Sequence, residues 1–480
     1  MKQLQSNLSF SVLSQEEIKQ VHEGTLKVLA ETGVRVLEQE ALLLLREIGA
    51  RVEGDRVFIS RELVEAAIET APKSVPIYSR DGSPGIVLEK GKAYFGTGSD
   101  CPNIMDSRTG ERRRSSKKDV AEAALLCDAL PNMEFFMSLC LVQDIAPQAH
   151  DVHQFEAMIL NTEKPIVFTA HDRRGMEHII RIAEAAMGGA EKFRDHPSIC
   201  LYAEPISPLQ HVPVAVSKML LAAERKIPVV YTPCPMAAAT APVTMAGALV
   251  TGNAEVLSGL VIHQARQPGA PFIAGGVMTL LDMGTANISY GAPELDLLCA
   301  AYTDIAHFYD LPMFGTAGCS DSKILDQQAA IEATASTLLQ AMIGANLIHD
   351  VGFLEYALTG SLEMVALTDE VVGMVRRIIR GIEVTPETLA VDVIKRVGPG
   401  GHFLNEDHTL EHFRDQMWFP SILDRNNRER WEADGSKTLG EKLNEKVLDI
   451  LATHKPKPLP ESALKEIEAI VRGYEREVGA

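Results

Sequence analysis

From residue 93 onward the chain repeats one pattern eight times: a short β-rich apolar run, then a stretch whose apolar residues recur every three or four positions. The strand candidates are 93–98, 135–140, 165–170, 198–203, 228–232, 271–275, 312–316 and 346–350. Between them, VAVSKMLLAAER, NAEVLSGLVIHQAR and DQQAAIEATASTLLQAMIGA carry the period of amphipathic helices. Eight strand-then-helix units, spaced by roughly 30 to 45 residues, predict an α/β fold in which a parallel sheet closes into a (β/α)8 TIM barrel. An open doubly wound sheet is the alternative.

The barrel takes residues 93–380, its eighth helix falling at about 361–380. Residues 1–92 form an N-terminal helical and β cap, with a strand pair around 51–59 and the extended segment SVPIYSRDGSPGIVLEKG. Residues 381–480 form a C-terminal helical extension, amphipathic at TLGEKLNEKVLDILATH and ESALKEIEAIVRGYERE. It is expected to pack on the barrel or on a neighbouring subunit of a homo-oligomer.

The formal charge of −19 is spread along the chain, which argues against nucleic acid or an anionic membrane as a partner. No apolar run reaches the roughly 20 residues that span a bilayer, and the N-terminus lacks the charged and apolar regions of a signal peptide. A cytoplasmic protein is expected. The seven cysteines (Cys101, Cys127, Cys140, Cys200, Cys234, Cys299 and Cys319) are odd in number and form no close CxxC pair, so they read as reduced thiols.

In such barrels the ends of the strands and the loops that follow carry function. Here those loops are polar: GTGSDCPNIMD, HDRR, EPISPLQH, PCPMAAATAPVT, GGVMTLLDMGTANISYGAPE, AGCSDSKILDQQ and HDVGFLEY. Asp100, Glu204 and Asp350 bring carboxylates to the mouth, and Tyr94, Phe353 and Tyr356 bring aromatic faces. Carboxylates with π faces are the usual means of holding a quaternary ammonium. His171 and His349 complete the candidate substrate contacts, with His211, Asp282, Asp321 and Lys323 in the ring around them. Each has a plainer reading as a helix cap, an ion pair or packing.

GTGS and AGG lack the context of a nucleotide-binding loop. His408 and His412 stand at i and i+4 without an HExxH glutamate, so an exposed helix face is the simpler reading. Cys234, His171 and Cys319 could in principle assemble a zinc site across the barrel mouth, which spacing neither supports nor excludes, and no metal is assigned.

GTGSDCPNIMD, VFTAHD, AEPISPLQH, YTPCPMAAATAPVT, GGVMTLLDMGTANISYGAPE and the stretch from GCSDSK to HDVGFLEY resemble the trimethylamine methyltransferase family over nearly the whole chain. The resemblance implies a (β/α)8 enzyme that moves a methyl group from a methylated amine to the Co(I) centre of a separate corrinoid-binding protein, with no cofactor bound tightly by the barrel itself. It also implies pyrrolysine, in the trimethylamine enzymes, near the end of a late strand. The corresponding stretch here, SDSKILD (residues 320–326), contains only standard residues.

That departure points to members that demethylate quaternary amines: glycine betaine first, with proline betaine, carnitine and choline as alternatives. A quaternary nitrogen already carries the charge that makes a neutral amine the leaving group, so nothing has to activate it. Because positive charge leaves nitrogen in the transition state, aromatic and carbonyl contacts should outnumber carboxylate ones. A betaine's own carboxylate needs donors, for which His171, His211, His349, Lys323 and backbone N–H groups are candidates, His349 foremost. Two other classes remain: a metal-dependent or Schiff-base lyase using Lys323, and a noncatalytic betaine-binding protein.

Overall fold

The computed structural model describes residues 10–480. Seven of the predicted strands form one parallel sheet: β1 (Tyr94–Thr97), β3 (Ile166–Phe168), β4 (Ile199–Ala203), β5 (Val229–Tyr231), β6 (Phe272–Gly275), β7 (Met313–Thr316) and β8 (Leu347–Val351), in the order β1-β8-β7-β6-β5-β4-β3. Between the two edges runs β2, residues 135–136, bridged to β1 through Gly96 and Phe135 and to β3 through Phe136 and Ile166. The barrel is thus closed, but its second strand is shorter than the apolar run 135–140 predicts. The Thr97 hydroxyl donates to the carbonyl of Met137 and accepts its N–H, at 2.6 and 3.0 Å. A side chain therefore replaces the ladder at that point, and Leu139 then turns the chain with a φ of 60°.

Eight helices alternate with the strands: α1 (Lys117–Ala129), α2 (His150–Asn161), α3 (Arg173–Met187), α4 (Pro213–Arg225), α5 (Met245–Arg266), α6 (Pro293–Phe308), α7 (Gln327–Ile343) and α8 (Leu362–Ile379). Their starts are written locally. Asp172, Asp326 and Ser361 accept N–H groups of the first turn of α3, α7 and α8, and proline opens α4 and α6. Helix α5 is long and apolar enough to cross a membrane by length and composition, an exception to the reading above; most of its apolar window is buried inside the fold, as befits a core helix.

The barrel interior is a layer of Phe135, Met137, Val167, Cys200, Val230, Ile273, Phe314 and Leu347. Val75, Ile77, Ile86 and Leu88 join that layer from an antiparallel hairpin, Val75–Ile77 with Ile86–Leu88. The segment SVPIYSRDGSPGIVLEKG thereby plugs the N-terminal end of the barrel and leaves the opposite mouth as the open one. The remaining N-terminal strands, Val34–Val36, Arg51–Glu53 and Arg56–Phe58, form a small sheet that also recruits Gln210–His211 from the loop after β4. At the other terminus, helix Leu439–Thr453 packs on α1 and α8, and helix Glu461–Val478 on α2 and α3.

Candidate active site

Side chains two residues apart on a strand share a face. The interior layer therefore continues toward the mouth as Thr169, Tyr202, Thr232, Gly275, Thr316 and His349. This upper layer is polar where the layer below is apolar. The hydroxyls of Thr232 and Thr316 are buried and have no hydrogen-bond partner.

Alternation alone would turn Asp350 outward. The register between β8 and β1 slips between Ile348 and Val351, however, and Asp350 occupies that bulge with a φ of 73°. Left-handed backbone costs a non-glycine residue on the order of 1–2 kcal/mol, a strain that collects at functional positions. Asp350 Oδ1 lies 3.2 Å from His349 Nε2, while Oδ2 is buried without a partner. Burial pushes the Asp350 carboxyl up to about 8, opposed only by the neighbouring Thr316 hydroxyl. Burial also holds the His349 imidazole down at about 3.

Three aromatic rings share the mouth with this pair. Phe353 is buried, packs edge-on against Tyr290 at 6.4 Å between centroids, and touches Gly98. Tyr202 lies 6.5 Å from His349, centroid to centroid, and its hydroxyl donates to Glu204 at 3.2 Å. Burial first, then the nearby ionisable side chains of Glu204, Cys234, Tyr290 and Asp350, push the Tyr202 phenol well above its ordinary range. The Tyr290 phenol is raised by burial and then by Cys234, Asp350, Cys319 and Glu204. Glu204 opens to solvent at the rim, yet the protein around it desolvates its carboxyl enough to raise it.

The sequence-predicted residues divide by place. Asp350, His349 and Phe353 line the floor and wall, with Glu204 at the rim. Asp100, at a φ of 68°, is held by Gln154 at 3.0 Å and Ser138 at 3.3 Å. His171 is exposed, its backbone N–H tied to Asp151 at 2.8 Å. Tyr356 is half-buried beside the rim, with the Lys323 ammonium 5.8 Å from its ring centroid. Lys323 is itself exposed and donates to the Asp321 carbonyl at 2.9 Å. Asp282 folds back on its own loop, accepting the N–H groups of Gly284 and Thr285 at 2.7 and 2.9 Å. Asp321 accepts the N–H of Tyr290 at 2.7 Å.

Three expectations are corrected. Tyr94 begins β1 and is therefore at the plugged end, where its hydroxyl accepts the N–H of Val87 at 3.4 Å. His211 is drawn off the mouth because its strand joins the N-terminal sheet. It is buried, bonded to the Tyr231 hydroxyl at 2.6 Å and the Ser258 hydroxyl at 2.8 Å. His349 does not suit the role of donor to a carboxylate: its Nδ1–H donates to the Gly315 carbonyl at 2.8 Å, so the neutral ring turns a bare Nε2 to the site.

Sequence reasoning did not single out Tyr202, Tyr290, Thr232, Thr316 or Lys218. Lys218 was the most legible of them, a lysine on the buried face of α4; its ammonium donates to the Ala170 carbonyl, and burial lowers its pKa against the pull of Asp151, Glu204 and Asp100. Among the described residues no group of three His, Cys, Asp or Glu side chains is arranged to hold a metal, including Cys234, His171 and Cys319. The rings of His408 and His412 are side by side at 4.3 Å without a third ligand.

The family described as trimethylamine methyltransferase (MTTB) matches residues 1–479. The chain is 37% identical to trimethylamine methyltransferase MttB of Desulfitobacterium hafniense (strain DSM 10664 / DCB-2), over 97% of this chain and 94% of that one. It is 35% identical to trimethylamine methyltransferase MttB of Methanosarcina thermophila, over 97% of each. It is 29% identical to a glycine betaine methyltransferase of Desulfitobacterium hafniense (strain Y51), over 98% of each. Among solved structures, the monomethylamine methyltransferase of Methanosarcina barkeri superposes with a TM-score of 0.54 at 11% identity, over 99% of this chain and 90% of that one, a likeness of fold.

Proposed function

This chain belongs to the trimethylamine methyltransferase family, and on that premise we propose that it moves a methyl group from a quaternary amine, glycine betaine giving dimethylglycine, to the Co(I) centre of a separate corrinoid-binding protein. The observation that carries the reading is the floor of the mouth. Asp350, one of whose carboxyl oxygens is buried without a partner, shares the mouth with Tyr202, Tyr290 and Phe353, and the buried hydroxyls of Thr232 and Thr316 belong to the same polar layer. Aromatic faces and oxygen dipoles hold an onium ion without demanding a proton from it. Lys218, on the side of Asp100 and Glu204, and His171, next in the chain to the Ala170 carbonyl that Lys218 bonds, are the donors proposed for the betaine carboxylate.

The partner's corrinoid supplies the nucleophile, and the amine departs neutral. This chain's own residues then have to orient one N-methyl group outward and exclude water. A docked partner is supported by the rim, where Ile206, Val243, Met283 and Ile324 are 52%, 70%, 77% and 55% exposed, each on a different strand-to-helix loop. A second copy of the chain is also part of the reading. The three helices between residues 381 and 435 bury no residue, and Ile382, Leu404 and Leu410 project from that stretch. Seven unpaired thiols suit the reducing cytoplasm.

Trimethylamine is the second reading, favoured by relatives of that name at 35–37% identity. Against it stand the standard residues of SDSKILD, and Lys323, the one amine there, is held on the exposed rim. The test is anaerobic incubation with a Co(I) corrinoid protein and glycine betaine, proline betaine, carnitine, choline or trimethylamine, following loss of the Co(I) absorbance. Consumption with a quaternary amine, with the demethylated amine seen by mass spectrometry, supports the reading; silence from all of them contradicts it.

A further inference from the structure

The hydrogen bonds of His349 decide the state of Asp350. The Gly315 carbonyl can only accept, so the 2.8 Å contact fixes the imidazole proton on Nδ1. The ring is 3% exposed, which keeps it from gaining a second proton. Nε2 therefore points a lone pair at Asp350 Oδ1, 3.2 Å away. An ionised carboxylate there would set lone pair against lone pair in a dry site; a protonated one makes an O–H to N hydrogen bond. The titratable groups facing Asp350 do not reverse this. They are the thiols of Cys101, Cys234, Cys299 and Cys319 and the phenols of Tyr202 and Tyr290, all neutral and all raised by burial. No lysine or arginine among the described residues is paired with Asp350.

We propose that Asp350 serves methyl transfer as a neutral carboxylic acid, its proton held on Oδ1 by His349 and its bare Oδ2 offered to the substrate ammonium as a carbonyl dipole. The proposal rests on the quaternary-amine reading and goes further, because it states what kind of charge the floor of the site presents. A full counter-ion would hold the cation tightly but would lose that attraction as positive charge leaves nitrogen in the transition state, so it would slow the transfer. A dipole with aromatic faces binds the ground state less and gives up less. Ionising Asp350 at high pH should therefore tighten binding and retard transfer together.

The test uses tetramethylammonium as the probe, titrated into the full chain by calorimetry from about pH 6.5 to about pH 9.5. The wild type should gain about tenfold or more in affinity across that range as Asp350 ionises. Asp350→Asn, whose amide N–H donates to Nε2 and whose oxygen replaces Oδ2, should be flat with pH and within about threefold of the low-pH wild-type affinity. A flat wild-type profile, together with a loss of about 100-fold in Asp350→Asn, would overturn the neutral acid and make Asp350 a standing counter-ion. Failure of tetramethylammonium to bind at any pH would overturn the quaternary-amine reading and this proposal with it. The wild type alone provides a second readout independent of the variant's folding: KM and kcat should fall together as pH rises through the titration, and a kcat that rises instead contradicts the proposal.

Discussion

Asp321 holds Tyr290 in place through its backbone: its Oδ1 accepts the Tyr290 N–H at 2.7 Å, and its Oδ2 accepts the hydroxyl of Ser289. The sequence marks Asp321 as one of the carboxylates around the mouth, but its lone pairs are committed to the loop that carries an aromatic wall. Asp321→Ala leaves both donors unpaired, a loss on the order of 1–3 kcal/mol to the loop. KM for the amine should rise about tenfold while kcat changes about twofold at most. Steady-state kinetics checks the split; an equal loss in kcat would place Asp321 in the transition state instead.

Gly98 marks where the wall is tightest. A Cβ there would lie 2.2 Å from Phe353 Cζ and 2.5 Å from Asp350 Oδ1. Gly98→Ala should therefore displace the Phe353 ring into the mouth, lowering amine affinity by about tenfold or more while costing about 1–3 kcal/mol of stability. Calorimetric titration and thermal melting read the two effects on one sample, and unaltered affinity would mean the ring is no part of the site.

The Asp350 carboxyl is raised to about 8 in the folded chain, well above the unfolded value of about 4. Across that window the folded state holds the extra proton, so its contribution to stability is whole below about pH 4 and is lost as pH rises toward 8. Glu255 and Asp296, each raised to about 7 chiefly by burial, act with the same sign. Asp350→Asn removes its own share alone, and the fall in melting temperature between about pH 5 and pH 8 should be smaller than in the wild type. Parallel melting curves for the two proteins would contradict the raised carboxyl.

Rim substitutions separate substrate binding from partner docking. Ile206→Glu and Met283→Glu put charge into exposed apolar positions that the partner is proposed to cover. Transfer to a corrinoid protein should drop about tenfold more than transfer to free Co(I) cobalamin. Equal losses with both acceptors would place the docking face elsewhere.

Much of this architecture was legible in the residues, for identifiable reasons. Strands buried on both faces read as continuous apolar runs, and the helices between them carry their caps and periods locally. The second strand read too long because its partner at that point is the side chain of Thr97, which no periodicity reports. Asp350 was readable as a carboxylate at a strand end, but not as one turned inward, since a bulge reverses the alternation on which such readings depend. His211 looked like a mouth residue by its distance from β4. Only the pairing of Arg35 with Gln210 and Val36 with His211 reveals that its loop is pulled toward the N-terminal sheet. His211→Ala should consequently cost about 1–3 kcal/mol of folding stability with little change in KM.

The most direct test is a competition at the end of the pathway from site to chemistry. The enzyme, a Co(I) corrinoid protein and equal amounts of glycine betaine and trimethylamine are mixed anaerobically, and the amines are quantified by mass spectrometry after one turnover. Dimethylglycine should form while trimethylamine stays untouched. Dimethylamine as the product, with glycine betaine unconsumed, would contradict it.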